Sequence, residues 1–255
     1  MKHHIPFFIA ASFIALVACS SEKTENTPGS SGEPAADAGA DGLDIPAGGT
    51  QCTAARDQLL VPIGKVSTGQ VKVVKTEDDV TTLYIDASAG GFQDAAKTPR
   101  VYVNLAEGTR VGVTDKAAFD SADWDLAFKR SLLYTNGGDT GIGKGAGAQV
   151  PKDFAAVTAE DADGIELKPE KMFDDNCVAA RDEINAPVTT FTGWYVYDQS
   201  QQRITGPQKN LTFIVRSADG TKRYKVAIVS FNGEPDGTID EGNGGGFYLL
   251  KVAPL

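Results

Sequence analysis

Period-two patterning broken by turn residues constrains this chain more than any other feature. Residues 211–216 and 223–231 flank Ser217-Ala218-Asp219-Gly220, and a glycine in that place accepts the positive φ of a tight hairpin turn. Residues 70–75 and 80–87 are rich in Val, Thr, Ile and Tyr, which suit a pleated, half-buried surface. Residues 101–105 and 110–113 form another pair, joined through Glu107-Gly108-Thr109, and residues 247–252 make a last strand. Along residues 124–135 the alternation predicts one shared face of Trp124, Leu126, Phe128, Leu132 and Tyr134, interrupted by Arg130. Helical patterning is short and weak, best at residues 154–159 and 179–184. The expected fold is mainly β: a multi-stranded antiparallel sheet assembly, sandwich- or barrel-like, with few short helices.

The first residues describe an export route. Lys2 is followed by an apolar stretch over residues 5–17 and then by Leu16-Val17-Ala18-Cys19. The stretch is shorter than the ~20 apolar residues that a membrane-spanning helix needs. The four residues resemble the lipobox of bacterial lipoproteins, in which the cysteine is acylated and becomes the new N-terminus; a plain secretory signal is the alternative. Uncharged Ser20 resembles outer-membrane sorting. Residues 1–18 are therefore expected to be a lipoprotein signal peptide, with Cys19 as the lipidation site on the outer membrane. Residues 19–50 hold almost no large apolar side chain and form the expected disordered tether. The β domain is expected over residues 51–255.

Composition then removes whole function classes. With 24 Lys+Arg against 34 Asp+Glu, the net charge of −10 argues against nucleic-acid partners, which need a basic footprint. The only histidines are His3 and His4, and cleavage before Cys19 removes both together with Met1. The exported chain would then hold no histidine and a single methionine, Met172. That excludes Ser-His-Asp catalysis, His-ligated zinc and bis-His haem ligation from this chain alone. No nucleophile sits beside a base, and no carboxylate pair stands out as a hydrolase site. The expectation is that the protein is not an enzyme.

Two cysteines remain beyond Cys19. Cys52 and Cys177, an even pair in an exported chain, are a candidate disulfide, with two buried free thiols as the alternative. The bond would close a loop of ~125 residues, worth about 4–5 kcal/mol on the loop-entropy model. Each cysteine opens a similar hexapeptide, Cys52-Thr53-Ala54-Ala55-Arg56-Asp57 and Cys177-Val178-Ala179-Ala180-Arg181-Asp182, so similar local turns or short helices are expected.

Four further stretches invite chemical readings. The run from Gly138 to Gly145 is nearly a phosphate-binding loop, but Gly145 stands where the magnesium-holding Ser or Thr should follow Lys144. A flexible Gly-rich connection is the plainer reading. Asp161-Ala162-Asp163-Gly164 and residues 234–241 place carboxylates in turns without a full calcium-loop spacing, so no metal site is assigned. Trp194-Tyr195-Val196-Tyr197 could stack a flat ligand, yet aromatics at strand spacing also fill cores.

The most distinctive stretch is Trp124-Asp125-Leu126-Ala127-Phe128, followed by Arg130 and then Thr135-Asn136-Gly137-Gly138. It resembles the HmuY family of bacterial surface lipoproteins, whose members carry a Trp-Asp-apolar-Ala-Phe strand running into a Thr-Asn-Gly-Gly turn. The resemblance implies a mostly β, HmuY-like fold in which Trp124, Asp125, Ala127, Phe128, Arg130, Thr135, Asn136, Gly137 and Gly138 are structural. It also implies a haemophore-like role at the cell surface: haem or another tetrapyrrole as cofactor-like ligand, passed to an outer-membrane receptor. Characterised members hold the iron by two His or two Met. Here the candidates are Met172 and Tyr197, the latter as a phenolate, with Met172 packing a gap in the core as the plainer reading. The alternative is a ligand-binding or protein-interaction surface lipoprotein that keeps the fold without the haem ligands.

Overall fold

The structure, a computed structural model, describes residues 52–255. The expected signal peptide, the expected lipidation residue Cys19 and the expected tether fall outside the described residues. Within them the chain forms β1 (Val71–Glu77), β2 (Val80–Asp86), β3 (Val101–Asn104), β4 (Thr109–Val111), β5 (Leu126–Lys129) and β6 (Leu132–Thr135). Then come β7 (Ala146–Val150), β8 (Tyr195–Asp198), β9 (Arg203–Pro207), β10 (Thr212–Arg216), β11 (Arg223–Ser230) and β12 (Phe247–Pro254). The helices are short: α1 (Thr53–Leu60), α2 (Asp115–Ala118) and α3 (Ala159–Asp163). The fold is mainly antiparallel β, as the alternation predicts.

A six-stranded sheet has the order β1-β2-β12-β11-β10-β7, a four-stranded sheet the order β4-β3-β5-β6, and β8-β9 form a separate ribbon. Alternate residues of both larger sheets meet in one core: Leu83, Ile85, Phe213, Val215, Val226, Ile228, Leu250 and Val252 from the first, and Val101, Val103, Leu126, Phe128 and Leu133 from the second. The opposite face of the four-stranded sheet is covered too. Tyr102, Ala127 and Tyr134 pack there with Leu60, Trp124, Met172 and Phe173. Both faces of β5 are therefore dry, and Leu126, Ala127 and Phe128 are all fully buried.

The expectation of one continuous face along residues 124–135 is not met. Lys129 pairs with Leu132 across a two-residue turn in which Arg130 adopts φ 52°. In such a hairpin the paired positions differ in parity, so the face that even-numbered residues occupy on β5 passes to odd-numbered residues on β6. Phe128 thus joins Leu133 between the sheets, while Tyr134 joins Ala127 on the far side. Trp124 lies before β5 begins and fills the far side with them.

The helix expected at residues 179–184 is absent. Phe173 pairs with Ala179 and Arg181 with Pro187, each across a tight turn. In both turns an aspartate accepts two backbone N–H groups, Asp174 those of Asn176 and Val178 and Asp182 those of Ile184 and Ala186. In both, the fourth residue takes a positive φ, at Cys177 and Asn185. The aspartate-to-amide bonds outcompete the weak helix propensity. The two cysteine hexapeptides also part company: Cys52 precedes α1, whereas Cys177 sits in the first of these turns. Their sulfurs are bonded, with Cα atoms 5.1 Å apart. At its other end α1 is held by Arg100, which donates to the carbonyls of Leu59 and Leu60 and pairs with buried Asp115.

Candidate functional site

Several of the family-motif residues make identifiable bonds within the fold. Trp124 Nε1 donates to the carbonyl of Ala118 at 2.8 Å. The Asp125 carboxylate accepts the backbone N–H of Leu105 and of Ala218, tying β5 to the β10–β11 hairpin turn. Burial raises this carboxyl above its ordinary value, and the two amide bonds oppose that rise. Asn136 Nδ2 donates to the carbonyls of Ser121 and Trp124. A Cβ on Gly143 or Gly145 would stand only 2.6 or 2.3 Å from the Asn136 backbone oxygen. The phosphate-loop-like run is therefore a collar of small residues around Asn136, and it leads into strand β7 rather than a helix.

Thr135 donates from N and Oγ1 to Oε1 of Glu170, whose Oε2 accepts the N–H of Thr190. Burial raises the Glu170 carboxyl above its ordinary value, against these same bonds. A Cβ on Gly138 would strike the Glu170 carbonyl oxygen, at φ 64° besides, so only glycine fits the turn. The carboxylate-rich turns are likewise used internally. Asp161 closes the capping box of α3 and pairs with Lys152, and Asp163 pairs with Arg223. Asp236 and Asp240 accept amides of their own loop. Among the described residues no group of three or more His, Cys, Asp or Glu side chains is placed to hold a metal ion.

The structure does not bring Met172 and Tyr197 together. Met172 has no exposed surface and packs in the cluster behind the four-stranded sheet, its N–H bonded to Asp139. Its side chain fills the core, which is the plainer of the two readings of Met172, and it lies apart from Tyr197. Tyr197 instead lines an open cleft of about 590 Å³ together with Ile184, Ile204 and Phe231. The aromatic stretch divides by position. Trp194 and Tyr195 are buried, Trp194 against Phe231 and Tyr248, while Tyr197 is half-buried at the cleft.

Three turns and two loops shape that cleft. Asp182 sets the turn carrying Ile184 and Ala186, and its other oxygen accepts the Tyr195 hydroxyl at 2.6 Å, locking the turn to β8. Asp198 accepts Ser200 N and Oγ in the β8–β9 turn, which brings Tyr197 opposite Ile204. Gly245 packs where a Cβ would meet the Phe231 ring at 2.3 Å. On the rim Phe92 follows Gly90 and Gly91, both at positive φ, and is 88% exposed. Arg130 reaches the same cleft from the β5–β6 turn, and burial pulls its guanidinium below the ordinary value.

A family model of HmuY proteins matches residues 96–240, which span every one of these motif residues and Tyr197. The chain belongs to the HmuY family. Solved structures similar to this HmuY-family chain include a Bacteroides fragilis protein described as a lipoprotein, 15% identical, covering 72% of this chain and 94% of its own, with a TM-score of 0.42. Another, described as an HmuY-like heme binding protein from Bacteroides vulgatus, is 18% identical and covers 72% and 97%, with a TM-score of 0.43. No curated protein matches the sequence. The motif made the family legible. The cleft roles of Phe92, Ile184 and Arg130 were not legible, and the one available sign was an arginine interrupting an apolar strand pattern.

Proposed function

We propose that this HmuY-family protein is a lipid-anchored binding protein, not an enzyme, that takes haem or another tetrapyrrole in the Tyr197 cleft. The carrying observation is the cleft itself: about 590 Å³, walled by Tyr197, Ile204, Ile184 and Phe231, with a half-buried arginine at its edge. That volume lies within the roughly 300–1,000 Å³ of small-molecule sites. Apolar and aromatic walls suit the flat face of a tetrapyrrole, and cations suit its carboxylates. Tyr197 brings to the lining a phenol that, as a phenolate, would ligate ferric iron. With no histidine beyond His4 and Met172 packed elsewhere, the ligation would be five-coordinate. The haem supplies the iron and its colour; this chain supplies the phenol, the apolar walls and the charge.

Cys19 acylation would hold the domain at the outer membrane through the tether, where an outer-membrane receptor could take over the ligand. Among the described residues no helix is long and apolar enough to cross a membrane. The test is a haemin titration of the purified chain followed by absorbance. A saturable Soret shift at about one equivalent, weakened or moved in Tyr197→Phe, is expected. A flat titration beside a working control would refute the haem reading and leave a surface protein that keeps the fold and binds another partner.

A further inference from the structure

Buried arginines are ordinarily matched by an acid, and Arg100 illustrates this with Asp115 at 3.2 Å. Arg130 is not matched. Its Nη1 donates to the carbonyls of Gly245 at 2.8 Å and Ser88 at 3.4 Å, and its Nη2 to that of Gly244 at 3.2 Å. Carbonyl oxygens satisfy N–H groups without cancelling the charge. Among the described residues no carboxylate lies within ion-pair distance of it. Of the five N–H donors of a guanidinium, Nε–H and one on Nη2 are left over, which is what a single carboxylate takes in fork geometry.

The other charges of the cleft do not account for this cation. Arg203 is exposed and stands opposite Asp198 in the β8–β9 pair, whose carboxyl it helps to lower. Glu241 is the one acid lining the cleft, and it forms no ion pair with Arg130. The three carbonyl bonds also join the loop at Ser88 to the loop at Gly244 and Gly245. The guanidinium is thereby held in place, so little side-chain freedom remains to be lost on binding.

We propose that Arg130 is a carboxylate-binding subsite, which selects flat apolar ligands that carry an acid group. This rests on the cleft being the ligand site and adds what it discriminates. A charge-assisted bond to a half-desolvated arginine predicts a preference of roughly 10- to 100-fold for an acid over a neutral analogue.

The experiment compares 1-pyrenebutyrate with 1-pyrenebutanol by fluorescence titration of the purified full chain. The expected result is at least about 10-fold tighter binding of the acid. Arg130→Gln should abolish that preference by weakening the acid more than the alcohol, and Arg130→Lys should retain part of it, as charge without the fork. Equal affinities in the parent, a preference that survives Arg130→Gln, or equal loss of acid and alcohol would overturn the proposal. So would failure to bind either pyrene. An Arg130-dependent acid preference with a flat haemin titration would keep the subsite and remove the tetrapyrrole reading. Saturable haemin binding without acid preference would do the reverse.

Discussion

Removing the Cys52–Cys177 bond tests how much of this fold depends on its one long covalent tie. The bond joins positions 125 residues apart, and on the loop-entropy model a ring of that size restrains the unfolded chain by about 5 kcal/mol. For a domain of this size that corresponds to a fall in Tm of about 10–20 °C. Native contacts should change little, because the far end of α1 is held independently by Arg100 through the carbonyls of Leu59 and Leu60. The variant Cys52→Ala/Cys177→Ala keeps a Cβ at position 177, so the positive φ there gains no new strain. Urea unfolding of the variant, and of the reduced parent, should agree within ~1 kcal/mol and show a steeper m-value, since the open chain exposes more surface. A loss below ~1 kcal/mol, with the parent's bond verified by thiol titration, would refute the entropic argument. A full loss with an unchanged m-value would place the effect in native contacts instead.

Two other outcomes follow from buried groups. Met172→Ala should cost about 2–5 kcal/mol in urea unfolding by opening a cavity beside Trp124 and Tyr134, while leaving any haemin spectrum unchanged; an altered Soret band would return Met172 to the site. Stability should fall as pH rises above the ordinary carboxyl range: burial raises the Glu170 and Asp125 carboxyls, so there the native state holds protons that the unfolded chain has released. Residues 52–255 contain no histidine, and the lowered carboxyls of Asp161, Asp198, Asp219 and Asp236 are ionised in both states there. Glu170→Gln should flatten the slope, and a stability that rises with pH over this range would refute the assignment.

Much of the sheet was legible because its hairpins announce themselves locally. Gly108 and Gly220 take the positive φ that their turns require, and β10 and β11 flank the second as expected. Strand β7 was hidden. Ala146-Gly147-Ala148 has little strand propensity, and the reason lies elsewhere in the chain: a Cβ on Gly147 would meet Thr190 Cγ2 at 2.6 Å. The Asp182 turn was hidden for a related reason, since its apolar spacing imitates a short helix until the side-chain oxygen captures two amides.

The sequence by itself determined the strand-rich character, the placement of the tight turns, the family motif and the lack of histidine in residues 52–255, because these depend on local backbone preference and residue identity. Only the tertiary structure decided which face of β6 turned inward, that Met172 and Tyr197 occupy different sides of the four-stranded sheet, and that Arg130 stands in a cleft with no acid within ion-pair distance. Those outcomes depend on pairing register and on what the other strands bring near. A two-residue turn reverses the parity of every face beyond it, and a charge is unpaired only by virtue of neighbours more than a hundred positions away.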